Sequence, residues 1–483
     1  MKKKEIGFVD TTLRDGQQSL WNGEMTTAMM YPIAPIMDEA GFECLDFMAL
    51  ISFDWLVRNL RENPWQRIRL MSRAMPKTPL MTGGVLLGFG TFPDAATELF
   101  IKCNAEAGMR RIRINEPYHD IGRIAQCIKW SQAAGLATVV ALIYSYSPVH
   151  TDEYYAKKAL EVARAGADII FIKDVDGLLT PERAQTLIPA ILKNIDGIPL
   201  ELHAHCTTGL APLTCLEAIR LGISAVHTAI SPLANGSSQP STLNILKNAR
   251  RMGFSTRVDE KAVEAISEHF NYIARKEGRP IGTPVEYDLF QYEHQLPGGM
   301  VSNYRYELAR RGLEHRLGDL LEEITLIRKE LGYPIMITPL SQYVGVQAIL
   351  NITGGGRYEA VTDEVIKYAV GRYGELAAPV DKAVMDRIMS LPRTKELLDW
   401  ETPQPSLEEL RREYGTDLSD EELLLRILAS NQQAVDEVLA AGPMNTEYPD
   451  GRRPEMALIQ ELIKRKDSAY VHIQKGDFSL TLE

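Results

Sequence analysis

The feature that most constrains this chain is an alternation: between Ile6 and about residue 300, eight short apolar runs are separated by longer amphipathic stretches. The runs cover residues 6–9, 44–48, 80–87, 111–114, 138–144, 168–172, 199–203 and 224–228. Each is strand-sized and each spacer is long enough for a helix, so the pattern predicts repeated βα units. Eight such units close on themselves as a (β/α)8 TIM barrel of the α/β class. Local signals agree. Thr180 followed by Pro181 predicts a helix start, because the hydroxyl caps and the missing proline N–H costs nothing in a first turn. Residues 153–164 carry apolar side chains at helical spacing. In such a barrel, polar residues at the C-terminal strand ends converge on one mouth, and chemistry is to be sought there.

Beyond about residue 300 the strand-sized runs stop. Residues 317–331, 362–373, 380–389, 407–414 and 421–439 are expected to be helices, with residues 400–405 as an internal linker. The expected organisation is a barrel over 1–300, a helical domain over 301–445 and a tail over 446–483. Within the tail, residues 455–466 predict a helix, and 469–474 with 478–482, around Lys475-Gly476-Asp477, predict a β-hairpin. That hairpin is expected either to offer an edge to a partner or to fold back on its own helical domain.

Charge and cysteine content exclude several classes of function. A formal net charge of −11 opposes tight binding of nucleic acid or of an anionic membrane surface, both of which need concentrated Lys and Arg. No apolar stretch approaches the ~20 residues needed to cross a bilayer, so no membrane insertion or signal peptide is expected. Cys44, Cys103, Cys127, Cys206 and Cys215 are odd in number and form no CxxC pair, which fits a reducing cytoplasm better than a disulfide framework.

Four candidate ligands fall where strands should end: Asp15 after the first run, Lys173 after the sixth, and His203 with His205 at the seventh. In an extended strand, residues i and i+2 point to the same side, so the His-Ala-His pair presents two imidazoles together. Two imidazoles and a carboxylate suit a borderline divalent metal. Lysine is cationic and a poor ligand, but its carbamate is an anionic oxygen donor. Simpler roles stand beside these: Asp15 capping the next helix, and Lys173 pairing with Asp174 or forming a Schiff base.

Several motifs resemble those of the biotin-dependent carboxyltransferases, shared by pyruvate carboxylase, the oxaloacetate decarboxylase alpha subunit and transcarboxylase. They are Asp10-Thr-Thr-Leu-Arg-Asp-Gly-Gln-Gln-Ser19, Ser147-Pro-Val-His-Thr151, Ile172-Lys-Asp-Val-Asp-Gly-Leu-Leu179, Leu202-His-Ala-His205, Ser237-Ser-Gln-Pro-Ser241, Pro297-Gly-Gly-Met-Val-Ser-Asn303 and Thr338-Pro-Leu-Ser-Gln-Tyr-Val-Gly345. The resemblance spans about residues 6–440. It implies that Asp15, carbamylated Lys173, His203 and His205 hold Zn, Mn or Co, that Arg14 and Gln18 face the substrate, and that Ser302 shuttles a proton to biotin. Read alone, Arg14 would be a barrel-end salt bridge, Gln18 an exposed loop residue and Ser302 a turn residue after Gly298-Gly299.

The departures from the resemblance bear on substrate. Residues 49–54 read Ala-Leu-Ile-Ser-Phe-Asp where the family has Gly-Gly-Ala-Thr-Phe-Asp. Thr82-Gly-Gly-Val85 replaces the Arg-Gly-Gln-Asn of pyruvate-handling members, so Thr82 stands where an arginine would meet the substrate carboxylate. Glu116, Cys206 and His227 each replace an aspartate. The acceptor is therefore expected to be a small 2-oxo acid or related carbonyl compound, with pyruvate itself in doubt. No Met-Lys-Met biotinylation sequence occurs, so biotin is expected on a separate carrier protein, with biotin carboxylase or decarboxylase subunits as further partners and a homo-oligomer as the assembly. Two other functions remain open at this point. One is a metal-dependent lyase of the hydroxymethylglutaryl-CoA lyase type, and the other a non-catalytic scaffold subunit.

Overall fold

The computed structural model describes residues 4–86, 92–310, 312–449, 471–475 and 478–482. Eight parallel strands form the centre: β1 (Gly7–Asp10), β2 (Cys44–Asp46), β3 (Leu80–Leu86), β4 (Arg111–Asn115), β5 (Ala137–Ile143), β6 (Ile169–Asp174), β7 (Leu200–Ala204) and β8 (Ala225–Thr228). They pair in chain order, and β1 closes the ring by pairing with β8. Alternation along the strands sends Val9, Cys44, Met81, Val139, Ala141 and Phe171 into one interior cluster, which Ile335 of the later helical region joins.

The helical layer follows the local chemistry. Thr180 accepts a hydrogen bond from the Arg183 N–H at 3.1 Å and starts the helix Pro181–Leu192. The stretch at 153–164 lies in the helix Asp152–Arg164. After the barrel come the helices Gly298–Arg310, Leu317–Glu330, Leu340–Thr353, Asp363–Ala369, Lys382–Met389 and Leu407–Tyr414, and residues such as Leu308, Ile324, Val344 and Ile366 give this region a core of its own.

Two local expectations change. Residues 421–439 form two helices, Asp420–Leu428 and Gln432–Ala440, rather than one. Ala429 takes an extended backbone, Asn431 caps the second helix by accepting from the Ala434 N–H at 3.1 Å, and Ser430 donates to Asp54 of the barrel. The stretch around Ser302 is not a turn: Gly298–Arg310 is helical.

The chain divides into two compact units, Met1–Thr446 and Glu447–Glu483. In the second, β9 (Val471–Lys475) pairs antiparallel with β10 (Phe478–Leu482). The helix expected at 455–466 lies outside the described residues. Among the described residues no helix is long and apolar enough to cross a membrane.

Candidate functional site

The Asp10–Ser19 motif owes its shape to its own first residues. The Asp10 carboxylate accepts from the Thr12 N–H at 3.1 Å and hydroxyl at 2.7 Å, and the Thr12 hydroxyl accepts from the Ile230 N–H at 2.8 Å. These bonds turn the chain as it leaves β1 into a π-helical turn, Thr12–Gly16, that carries Arg14 and Asp15. Such turns are frequent at functional sites. Lys173, next to the end of β6, lies directly beside His203 of β7. Between the loops after β6 and β7, Gly177 has φ 68°, and a Cβ there would stand 2.6 Å from the His205 carbonyl oxygen. Only glycine suits both constraints.

Three donor atoms converge at the mouth. Asp15 Oδ2 lies 3.1 Å from His203 Nε2 and 3.5 Å from His205 Nε2, and the two Nε2 atoms are 3.1 Å apart. All three residues are buried. Around a tetrahedral first-row cation with bonds of about 2.0–2.1 Å, neighbouring donors stand roughly 3.3–3.4 Å apart, so these side chains fit one. The tautomers fit as well. His205 Nδ1 donates to the Ser237 carbonyl at 2.6 Å, which leaves a lone pair on Nε2 when the ring is neutral. The Gln239 amide nitrogen sits 3.0 Å from that Nε2.

Electrostatics set the charge states. Burial pushes the Asp15 carboxyl up, but Arg14, His205 and His203 outweigh it and hold it well below the usual carboxylate range. Asp46 of β2 is lowered despite burial because Arg113 and Arg14 flank it. Arg14 reaches Asp46 Oδ2 from Nε at 2.9 Å and from Nη2 at 2.5 Å, while Arg113 Nη1 lies 2.7 Å from Asp46 Oδ1. Burial, followed by repulsion from Arg113 and Arg14, brings the Lys173 amine down to about 7. Asp174 does not engage this amine in a hydrogen bond; its carboxylate accepts from the N–H groups of Leu178 and Leu179.

The remaining residues singled out in the sequence are placed less centrally. Arg14 is buried and ion-paired to both Asp15 and Asp46. Gln18 is exposed and lines a cavity of about 560 Å³ together with Met48, Ile51 and Trp55. Thr82 does not face the mouth. Its neighbour Met81 belongs to the barrel interior, so alternation turns Thr82 toward the helical layer and gives the interior position to Gly83. The Arg113 side chain crosses that position, where a Cβ on Gly83 would stand 2.6 Å from Nη2. Ser302 lies on the helix Gly298–Arg310, and its side chain is outside the described ones.

Sequence reasoning missed Asp46, Arg113, Glu201 and Gln239. The signal for the first three was a charged residue inside an otherwise apolar strand run. Gln239 lies inside the Ser237–Ser241 motif, where no neighbouring residue signals its place beside the histidines.

Comparison with known proteins gives concordant matches. Residues 292–436 match the family model described as "Conserved carboxylase domain", and residues 95–269 match one described as "HMGL-like". The chain is 37% identical over 390 residues to a pyruvate carboxylase subunit of Methanocaldococcus jannaschii, covering 80% of this chain and 68% of that one. It is 32% identical over 384 residues to the methylmalonyl-CoA carboxyltransferase 5S subunit of Propionibacterium freudenreichii, covering 78% and 75%. The 2-oxoglutarate carboxylase large subunit of Hydrogenobacter thermophilus is 30% identical over 437 residues, covering 88% and 67%. In fold, the chain matches the carboxyl transferase domain of Rhizobium etli pyruvate carboxylase with pyruvate at a TM-score of 0.80 and 22% identity, over 99% of this chain and 83% of that one.

Proposed function

This chain belongs to the biotin-dependent carboxyltransferase family, and we propose that it moves a carboxyl group between carboxybiotin on a separate carrier protein and a small 2-oxo acid at a divalent cation. Asp15, His203, His205 and the carbamate of Lys173 hold that cation, which is Zn, Mn or Co. The convergence of Asp15 Oδ2 with the two Nε2 atoms, at separations of 3.1 to 3.5 Å, carries this assignment. An amine brought to about 7 supports the carbamate, because the neutral form is the one that combines with CO2, releasing a proton as the N–C bond forms.

When bound, the cation supplies Lewis-acid polarisation of the acceptor's carbonyl, which makes the adjacent C–H acidic enough to exchange for carboxylate. The protein does the rest. Arg14, fixed by Asp46, keeps Asp15 ionised and contributes positive potential where an acid acceptor arrives. Gln18 contacts the acceptor from the wall of its cavity. The Ser302 hydroxyl is too weak a base alone; it relays the proton leaving the acceptor carbon to the ureido nitrogen from which CO2 departs. The relatives' names point to pyruvate and 2-oxoglutarate, both 2-oxo acids.

The test is biotin-stimulated decarboxylation of oxaloacetate and a panel of carboxylated 2-oxo acids, with metal content measured on the same preparation. A biotin-dependent rate with bound divalent metal is expected. Cleavage of a hydroxyacyl thioester without biotin would instead place the chain with the lyases that share its barrel.

A further inference from the structure

A buried polar chain runs from the candidate ligand His203 through the barrel interior. His203 Nδ1 lies 3.2 Å from His227 Nδ1, His227 Nε2 lies 2.9 Å from Glu201 Oε2, and Arg111 Nη1 stands 3.6 Å from Glu201 Oε1. His203 and His227 are each 1% exposed and Glu201 4%. Phe171 stacks on the His227 ring at 5.5 Å and 5° between planes, and His227 stands at 83° to His203. The ring is thus clamped, with one nitrogen on each neighbour.

With Glu201 ionised, His227 neutral and a cation held at the mouth, the contacts permit one direction of donation. An ionised Glu201 only accepts, so His227 Nε2 carries a hydrogen. The other nitrogen of a neutral His227 then offers a lone pair, and His203 Nδ1 must donate to it. His203 is left with its own lone pair on Nε2, the atom that meets Asp15 and His205. A buried carboxylate is costly to keep, and a hydrophobic replacement of similar volume would often stabilise the fold. We propose that Glu201 and His227 are positioning residues: they hold His203 in the tautomer and orientation that bind the cation, and so set the affinity of the site for it.

This rests on the cation site proposed above, and the test separates the two. Protein stripped with a chelator is titrated with Co(II) and followed by its visible ligand-field absorption, which needs no turnover. His227→Phe keeps a stacked ring but removes the acceptor, and is expected to weaken Co(II) binding by about 10–100-fold. His227→Asn places an amide oxygen where Nδ1 stands and is expected to bind within about threefold of the parent protein. Glu201→Met, which keeps the volume and removes the acceptor for His227 Nε2, serves if His227→Phe fails to fold and is expected to weaken binding about tenfold. Parental affinity in His227→Phe or Glu201→Met overturns the proposal, as does a His227→Asn protein as weak as His227→Phe. No Co(II) binding by the parent protein refutes the cation site itself.

Discussion

On the β1–β6–β7 side of the barrel mouth, the histidines that meet Asp15 have their outer nitrogens engaged: His205 on the Ser237 carbonyl and His203 on the His227–Glu201 chain. On the β2–β3–β4 side, Asp46 holds together Arg14 and Arg113, but Arg113 Nε and Asn115 Oδ1 are buried with no hydrogen-bond partner among the described residues. An unsatisfied buried polar group costs about 1–3 kcal/mol, a cost that a bound polar ligand can offset. The departures at 49–54, 82–85 and 116 follow the strands of this second side, with Thr82 itself turned to the helical layer, whereas those at 206 and 227 belong to the first. On the function proposed above, the first side holds the cation, and the second keeps unpartnered polar atoms that a bound ligand could engage.

Four substitutions break or sharpen that contrast. The largest effect is expected from Lys173→Ala on the first side. It should remove bound metal and lower carboxyl exchange by about 1000-fold or more, since the cation's contribution is lost whole; parental metal content and rate would refute the assignment. Ser302→Ala should retain metal yet lower biotin-dependent exchange by about 100–10,000-fold, the span of a lost proton relay. Metal analysis and an isotope-exchange assay read both.

On the second side, Arg113→Met leaves Asp46 with Arg14 alone and should lower the unfolding free energy in urea by about 3 kcal/mol. Because Arg113 also helps to lower the Lys173 amine, its loss should weaken metal binding without abolishing it; a loss of metal as complete as in Lys173→Ala would merge the two sides. The smallest effect on carboxyl exchange is expected at Glu116. Burial raises its carboxyl to about 8 from an ordinary 4.5. The unfolded chain therefore ionises first as pH rises, and the stability this group contributes is full below about 4.5 and lost toward 8. Glu116→Gln keeps the acceptor for the Tyr118 and Asp120 N–H groups and should flatten melting temperature against pH over that range.

The barrel was legible because strand burial writes itself as apolar runs, and the His-Ala-His spacing shows two imidazoles on one side of a strand. Strand ends at Asp10, Asn115 and Asp174 escaped the apolar criterion because they are polar. The break between the helices at 420–428 and 432–440 was hidden because Ser430 is held by Asp54, a partner 376 residues away in sequence. The Arg14–Asp46–Arg113 cluster and the Glu201–His227 chain were illegible for the same reason: each joins strands whose pairing only the closed barrel defines. Thr82 was misplaced because a match of motifs carries no parity, whereas Met81 in the interior fixes it.

The most direct measurement is carboxyl exchange by chelator-stripped protein before and after one equivalent of Zn, Mn or Co per chain. The stripped protein should be inactive and one of these cations should restore it. Full exchange without any metal would contradict a cation between Asp15, Lys173, His203 and His205.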